Sequence, residues 1–469
     1  MSADSFAVRR AHLSLVLLIA VASSVGCAAS QRHELAPGEV HAALETRSNG
    51  PLASLAPEQL AGLETLALAR PTPDECADPH SSGYWRACAL AWNPSVRAAR
   101  RELERALAVA NVAGLPGSID VALESLEFAD LERETKLAAT IDLLGLIGVG
   151  PTRIAREAAR GEVTRAHSAL ESAVWSALFE VQRARVRLAA SRERTRYLNV
   201  LLKQVAAQSE RFEILERRGR LSEADAEMVQ AAGHDIEHAL SRERSREAEL
   251  HAELARLSGL PFEHAAYASV DGTALNEARQ FSEPAAAREL LEQDPALREL
   301  SLEYAQAELR VRRVAADAWP SLRVGPQLTF MPSDVLLGGV LDLALPWPGR
   351  VEKEIRIASA EREAARERVE DALNLALARV ASLRVDEAEA RLRASEHAPK
   401  TDSAAESAWQ AINARLRVGM ASALEWTRVL RERVPPLSAL VDEREGAAIA
   451  ALDLAQACGV VPRSEEAQP

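Results

Sequence analysis

The chain has 469 residues, 48% hydrophobic but only 4% aromatic, with 27% charged and a net charge of −13 at pH 7. The apolar share is mainly Ala, Leu and Val, the composition of long amphipathic helices, which argues against a sheet-rich enzyme. With 56 basic against 69 acidic residues, the chain lacks the positive balance that drives counterion release, so nucleic acid is disfavoured as a partner.

Arg9, Arg10 and His12 precede the apolar run Leu13 to Val21, and the small residues Ala22, Ser23 and Ser24 follow it. That run is far shorter than the roughly 20 residues needed to span a bilayer, so residues 1–26 read as an export signal peptide. Ser24, Val25, Gly26 and Cys27 resemble a bacterial lipobox, which makes Cys27 the lipidated first residue of the mature chain; ordinary cleavage nearby is the alternative. Cys76 and Cys88 stand either as a disulfide or as two thiols in an oxidising compartment, with Cys458 left over. Together with His80 they lack a fourth ligand and a zinc spacing, so neither metal nor cofactor is expected. Residues 27–90, interrupted by Pro37, Pro51, Pro57, Pro71, Pro73 and Pro79, read as a lipid-tethered linker carrying one short helix, Pro57 to Ala69.

Beyond the linker the chain repeats itself at about 200 residues. Asn93, Pro94 matches Asp294, Pro295; Leu115, Pro116 matches Trp319, Pro320; Asp142 matches Asp342; Gly219, Ser222 and Asp225 match Gly419, Ser422 and Glu425; Gly259 matches Gly459. The matches keep one order, which defines a first repeat, 91–262, a second, 290–462, and a short tail, 463–469.

Each repeat opens with a helix of about 20 residues, its proline in the first turn where a missing N–H costs nothing. Two strands follow. In the second repeat Leu322, Val324, Pro326, Leu328 and Phe330 alternate with Ser321, Arg323, Gly325, Gln327 and Thr329, and Leu341, Leu343 and Leu345 alternate with Asp342 and Ala344. In the first, Ile119, Val121 and Leu123 alternate with Asp120, Ala122 and Glu124. Period two gives one apolar and one polar face, over strands long enough to cross a membrane. A long helix comes next: between Pro151 and Gly219 lie no prolines and one glycine, Gly161. Val174, Val181 and Leu188 are seven apart, as are Leu198, Val205 and Phe212, the seam of a coiled coil. Ser222 with Asp225, and Ser422 with Glu425, then have capping-box spacing and start the returning helices.

Two hairpins cannot close a barrel within one chain, and open strand edges in lipid are prohibitively costly; several chains must therefore pool them. The paired Asn93, Pro94 and Asp294, Pro295, the strand exit Leu345 to Arg350, the two G-x-x-S-x-x-D/E turns and the ending Leu257, Ser258, Gly259 resemble the TolC family of outer-membrane efflux proteins over residues 91–460. The resemblance implies a mainly α fold with a small β part: an elongated coiled-coil barrel plus a transmembrane β-barrel shared by a homotrimer. It implies an outer-membrane exit duct, lipid-anchored with a periplasmic extension, serving a tripartite efflux or secretion system with a periplasmic membrane-fusion adaptor and an inner-membrane pump. Gly219, Leu221, Ser222 and Asp225, with Gly419, Ser422 and Glu425, fall at the adaptor-docking tip; Asp142 and Asp342 face the barrel lumen. A periplasmic coiled-coil scaffold lipoprotein without a channel is the alternative.

The acidic balance implies a lumen that favours cations. Pro399, Pro435 and Pro436 are expected to kink or unwind the second helical hairpin. One stretch imitates an enzyme: His234, Asp235, Ile236, Glu237 and His238 fit the zinc-peptidase pattern H-x-x-E-H. Five residues on a long helix without a supporting core read as a solvated face, so no enzymatic activity is expected.

Overall fold

A computed structural model of the protein describes residues 42, 43, 45, 47, 81–113, 120–127, 133–142, 151–218, 222–263, 294–316, 321–331, 334–344, 348–418 and 420–459. The chain divides into two compact units, residues 1–50 and 51–469. In the first, the described residues Ala42, Ala43, Glu45 and Arg47 are all helical. The second holds all the other described residues.

Its described elements are α1 (Ser82–Trp92), α2 (Pro94–Val112), β1 (Asp120–Glu127), β2 (Arg133–Asp142), α3 (Pro151–Arg217), α4 (Glu223–Ser258), α5 (Pro295–Ala316), β3 (Ser321–Phe330), β4 (Val335–Ala344), α6 (Pro348–Leu392), a π-helical turn (Arg393–His397), α7 (Ala398–Arg417) and α8 (Ala423–Ala457). The order helix, hairpin, long helix, returning helix occurs twice, as the repeat requires. At 67 residues, α3 runs about 100 Å at 1.5 Å per residue. Among the described residues no helix is long and apolar enough to cross a membrane.

Helix α1 begins inside the segment assigned to the linker. Trp85, Ala87 and Cys88 are completely buried there against α3. Ser81 caps the helix by accepting from the Tyr84 backbone N–H at 3.0 Å. Burial, reinforced by the neighbouring Cys88, pushes the Tyr84 phenol well above its ordinary range. Cys76 and Cys27 lie outside the described residues, as does the expected helix Pro57 to Ala69.

The predicted seam of α3 is buried throughout, from Val174, Val181 and Leu188 to Leu198, Val205 and Phe212. The first half packs with α1, α4 and the end of α8. The second half packs with α4, α7 and the start of α8, where Trp409 and Trp426 meet at a tilt of 45° with ring centroids 5.4 Å apart. Ion pairs tie the same rods together. Arg194 on α3, itself almost wholly buried, donates to Glu243 on α4 (3.4 Å) and to Asp442 (2.5 Å) and Glu445 (3.0 Å) on α8. A buried guanidinium is stable only when surrounded this way, and removing it leaves carboxylates uncompensated.

The second repeat is less self-contained. Helix α6 buries Ala358, Ala365, Val380 and Ala390 but turns Ile357, Leu375, Val385 and Leu392 outward. Pro435 and Pro436 do not break the return: α8 is one helix from Ala423 to Ala457 with both prolines inside it. Two residues before them Arg433 is buried and clamped to α7, donating to Glu406 at 2.7 Å and to the Asp402 carboxylate. Leu430 and Leu437 are buried on either side, so tertiary packing offsets the lost helical hydrogen bonds. Near Pro399 the chain also stays helical, through the π turn just before it.

The four strands form one antiparallel sheet in the order β1-β2-β3-β4. Hairpins from the two repeats are thus joined by β2 and β3. That ladder pairs Thr135 to Ala138 with Gln327 to Phe330, and Ile141 and Asp142 with Val324 and Arg323. Between these runs stands Pro326, which has no N–H to give, beside Gly325. A Cβ at Gly325 would lie 1.8 Å from the Ala139 carbonyl oxygen, so the close approach of β2 requires glycine.

Candidate functional site

Three places hold the residues that the sequence singles out: the sheet, the two tips, and the exposed face of α4.

In the sheet, register and strand alternation sort the side chains onto two faces. Among the described side chains one face takes Leu137, Leu322 to Phe330 at even numbers, and Val335, Leu337, Leu341 and Leu343. Leu341 is 70% and Leu337 76% exposed, an apolar surface that the chain itself does not cover. The other face takes Lys136, Thr140, Arg323, Gln327, Thr329 and Asp342. Asp142 and Asp342 are each the register partner of Arg323, one from β2 and one from β4; the Asp142 side chain lies outside the described ones. Arg323 and Asp342 are exposed. Arg323 is the residue that sequence reasoning missed; it was visible as a member of the polar alternation, but only the pairing of β2 with β3 sets it between the aspartates.

At the tips the capping residues do what their spacing predicts. Ser222 caps α4: its Oγ accepts from the Asp225 backbone N–H at 3.2 Å and donates to Asp225 Oδ2 at 2.7 Å. Ser422 makes the full reciprocal box with Glu425, its Oγ accepting from the Glu425 N–H at 3.2 Å while its own N–H donates to Glu425 Oε2 at 3.0 Å. That backbone bond, with Arg415 3.6 Å away, holds the Glu425 carboxyl below the ordinary range. Gly219, Leu221 and Gly419 lie outside the described residues. The two hairpins stand side by side: Phe212, Val229, Ile412 and Trp426 share one core, and Arg431 on α8 reaches Asp235 on α4 at 3.3 Å. The polar tip residues are thus occupied in starting helices, while Val418, Met420 (67% exposed) and Leu424 around them face solvent.

On α4, His234 Nδ1 lies 3.1 Å from Glu237 Oε2, both side chains mostly exposed. His238 is exposed as well. Among the described residues no group of three or more His, Cys, Asp or Glu side chains is placed to hold a metal ion.

The sequence matches no protein-family model and no curated protein. Solved structures do match. A membrane protein from Pseudomonas aeruginosa superposes with a TM-score of 0.70 at 16% identity, over 80% of this chain and 92% of that one. The outer membrane protein VceC of Vibrio cholerae gives 0.65 at 18% identity, over 81% and 96%. The MtrE outer membrane channel of Neisseria gonorrhoeae, in its open state, gives 0.66 at 18% identity, over 82% and 89%. The chain has the fold of these membrane proteins, an outer-membrane channel among them, which is the TolC-type architecture that its repeats and turns resemble.

Proposed function

We propose that the chain is an outer-membrane channel, the exit duct of a tripartite efflux or secretion system, passively conducting solutes from an inner-membrane pump to the exterior. The observation that carries this reading is the sheet. Among the described side chains one face is mostly apolar and exposed, the other mostly polar or small, and β1 and β4 form edges with no further strand among the described residues. In hydrocarbon each orphaned backbone group costs several kcal/mol, so such edges must be joined. Because β1 and β4 run in opposite directions, β4 of one copy can pair antiparallel with β1 of the next. Four strands per copy are too few for a barrel, whereas a homotrimer supplies a number within the range of known ones.

The outward apolar stripe of α6 supports the same assembly, since copies standing round an axis would cover it. Residues 91–262 and 290–462 are then the two halves of one wall, and the stretch after Cys27 a lipid tether to the outer membrane. The tips around Ser222, Asp225, Ser422 and Glu425, with Gly219, Leu221 and Gly419, would dock a periplasmic membrane-fusion adaptor. There the caps hold the turns rigid and Met420 and Leu424 offer apolar contact.

Envelope fractionation followed by sizing in mild detergent tests the proposal. The expected result is an outer-membrane species three times the chain mass. A soluble periplasmic monomer would overturn the duct and leave the coiled-coil scaffold.

A further inference from the structure

We propose that Arg323, set in register between Asp142 and Asp342, fixes the ion preference of the channel at the end of the barrel nearest the helices. The inference rests on the channel reading above.

Cross-strand pairing arranges the polar face of the sheet in rows. At the helix end the pair Ser321 and Ala344 comes first, and the row after it contains Asp142, Arg323 and Asp342. The next two contain Asp120, Thr140, Gly325 and Val340, then Ala122, Ala138, Gln327 and Gly338. A further row, toward the hairpin loops, contains Glu124, Lys136, Thr329 and Leu336. Apart from Asp120 in the row beside it, the charges of this face stand in the row of Arg323 and in the row of Lys136 toward the hairpin loops, and the residues between are small or neutral. The row of Asp142, Arg323 and Asp342 brings two carboxylates and one guanidinium from each copy, so each copy contributes one net negative charge there. Both Arg323 and Asp342 are exposed on their strands, where a passing ion meets them.

The chain as a whole is acidic, which by itself predicts only that cations are favoured. The row makes a sharper statement: the preference is held down by Arg323. Its charge opposes two carboxylates at one level of the lumen, where a neighbouring copy adds the same three residues. A unit charge within about one Debye length of an ion's path, ~10 Å at 0.1 M salt, changes local ion concentration by about two-fold in water.

Reversal potentials of the full-length protein in planar bilayers under a KCl gradient test this. Arg323→Gln is expected to raise the K+/Cl− permeability ratio by about two-fold or more, Asp342→Asn to lower it by a similar factor, and Arg323→Lys to leave it at the wild-type value. A wild-type ratio in Arg323→Gln, with assembly verified by detergent sizing, overturns the role of Arg323. If Arg323→Gln does not assemble, Asp342→Asn decides: an unchanged ratio overturns the assignment of this row. An Arg323→Lys channel that behaves like Arg323→Gln overturns it too, because the charge is then not what matters. Absence of any conductance from the wild-type protein instead overturns the channel reading, and this inference with it.

Discussion

The side-chain amide of Asn93 donates a 2.7 Å hydrogen bond to the backbone carbonyl of Leu257, 164 residues further on. Its Oδ1 meanwhile caps α2, accepting from the backbone N–H of Ser95 (2.9 Å) and of Val96 (3.4 Å). One buried residue thus starts the first helix of the repeat and anchors it to the last. In the second repeat Asp294 keeps only the cap, accepting from the Ala296 N–H at 2.8 Å, since a carboxylate has no proton to give a carbonyl.

This difference makes Asn93→Asp informative. The cap survives, but a charge is buried against the Leu257 carbonyl, so a loss of about 3 kcal/mol or more is expected. Asp294→Asn, the reverse exchange, should stay within about 0.5 kcal/mol because both residues cap equally well. Thermal unfolding of the two variants in the same detergent compares them directly; equal midpoints would remove the significance of the Asn93 bond.

Gly259 ends α4 with φ +69°, and a Cβ there would lie 2.3 Å from the Trp92 carbonyl oxygen. Gly259→Ala therefore combines left-handed strain with a backbone clash, and it should unseat α1 and α2 from α4. The expected outcome is loss of assembled protein at normal transcript level. Gly446 in α8 has nothing within 4 Å of a new Cβ, and Gly446→Ala should stabilise by up to about 1 kcal/mol through helix propensity alone.

Neighbouring residues of β4 test which face meets lipid. Leu341→Arg places a charge on the apolar face and should cost about 2–4 kcal/mol near the membrane midplane, read as loss of outer-membrane insertion. Val340→Arg, one residue earlier, points to the other face, opposite Gly325, and should insert normally. If both insert equally, the alternation does not divide lipid from lumen.

Acid should loosen the second tip. The Glu425 carboxyl is held below its ordinary range chiefly by the Ser422 backbone N–H. Its contribution is therefore complete above the unfolded value of about 4.3 and fades as pH falls through the lower, folded value. Hydrogen exchange of the segment 420–430 should show protection falling below about pH 4 in the wild type. Glu425→Gln, which can still form the box, should give protection independent of pH across that window.

Long-range architecture was legible here because it is written as local pattern. The seam from Val174 to Phe212, the alternation in β3 and β4, and the serine caps each depend on residues a few positions apart. What stayed hidden depends on distant partners. Nothing near Asn93 announces Leu257; nothing near Arg323 announces that β2 will lie beside β3. Helix α1 reads as linker in the sequence because it is short and follows a proline-rich stretch, and its burial of Trp85 needs α3. Pro435 and Pro436 suggested a break, yet α8 continues, since Arg433 finds Asp402 and Glu406 on another helix and holds the segment in place. At the tips the capping residues were identified, while the solvent-facing Met420 and Leu424 carry no spacing rule of their own.

The π turn Arg393–His397 acts as a change of phase. A wider turn holds one residue more than an α-turn, which advances the faces that follow by about 100°. Before it, the rod shows Leu375, Val385 and Leu392 to the outside; after it, Trp409 and Ile412 point into the chain's own core. A single surplus residue thus rotates the faces of α7 relative to those of α6 within one continuous rod, without a loop between the two.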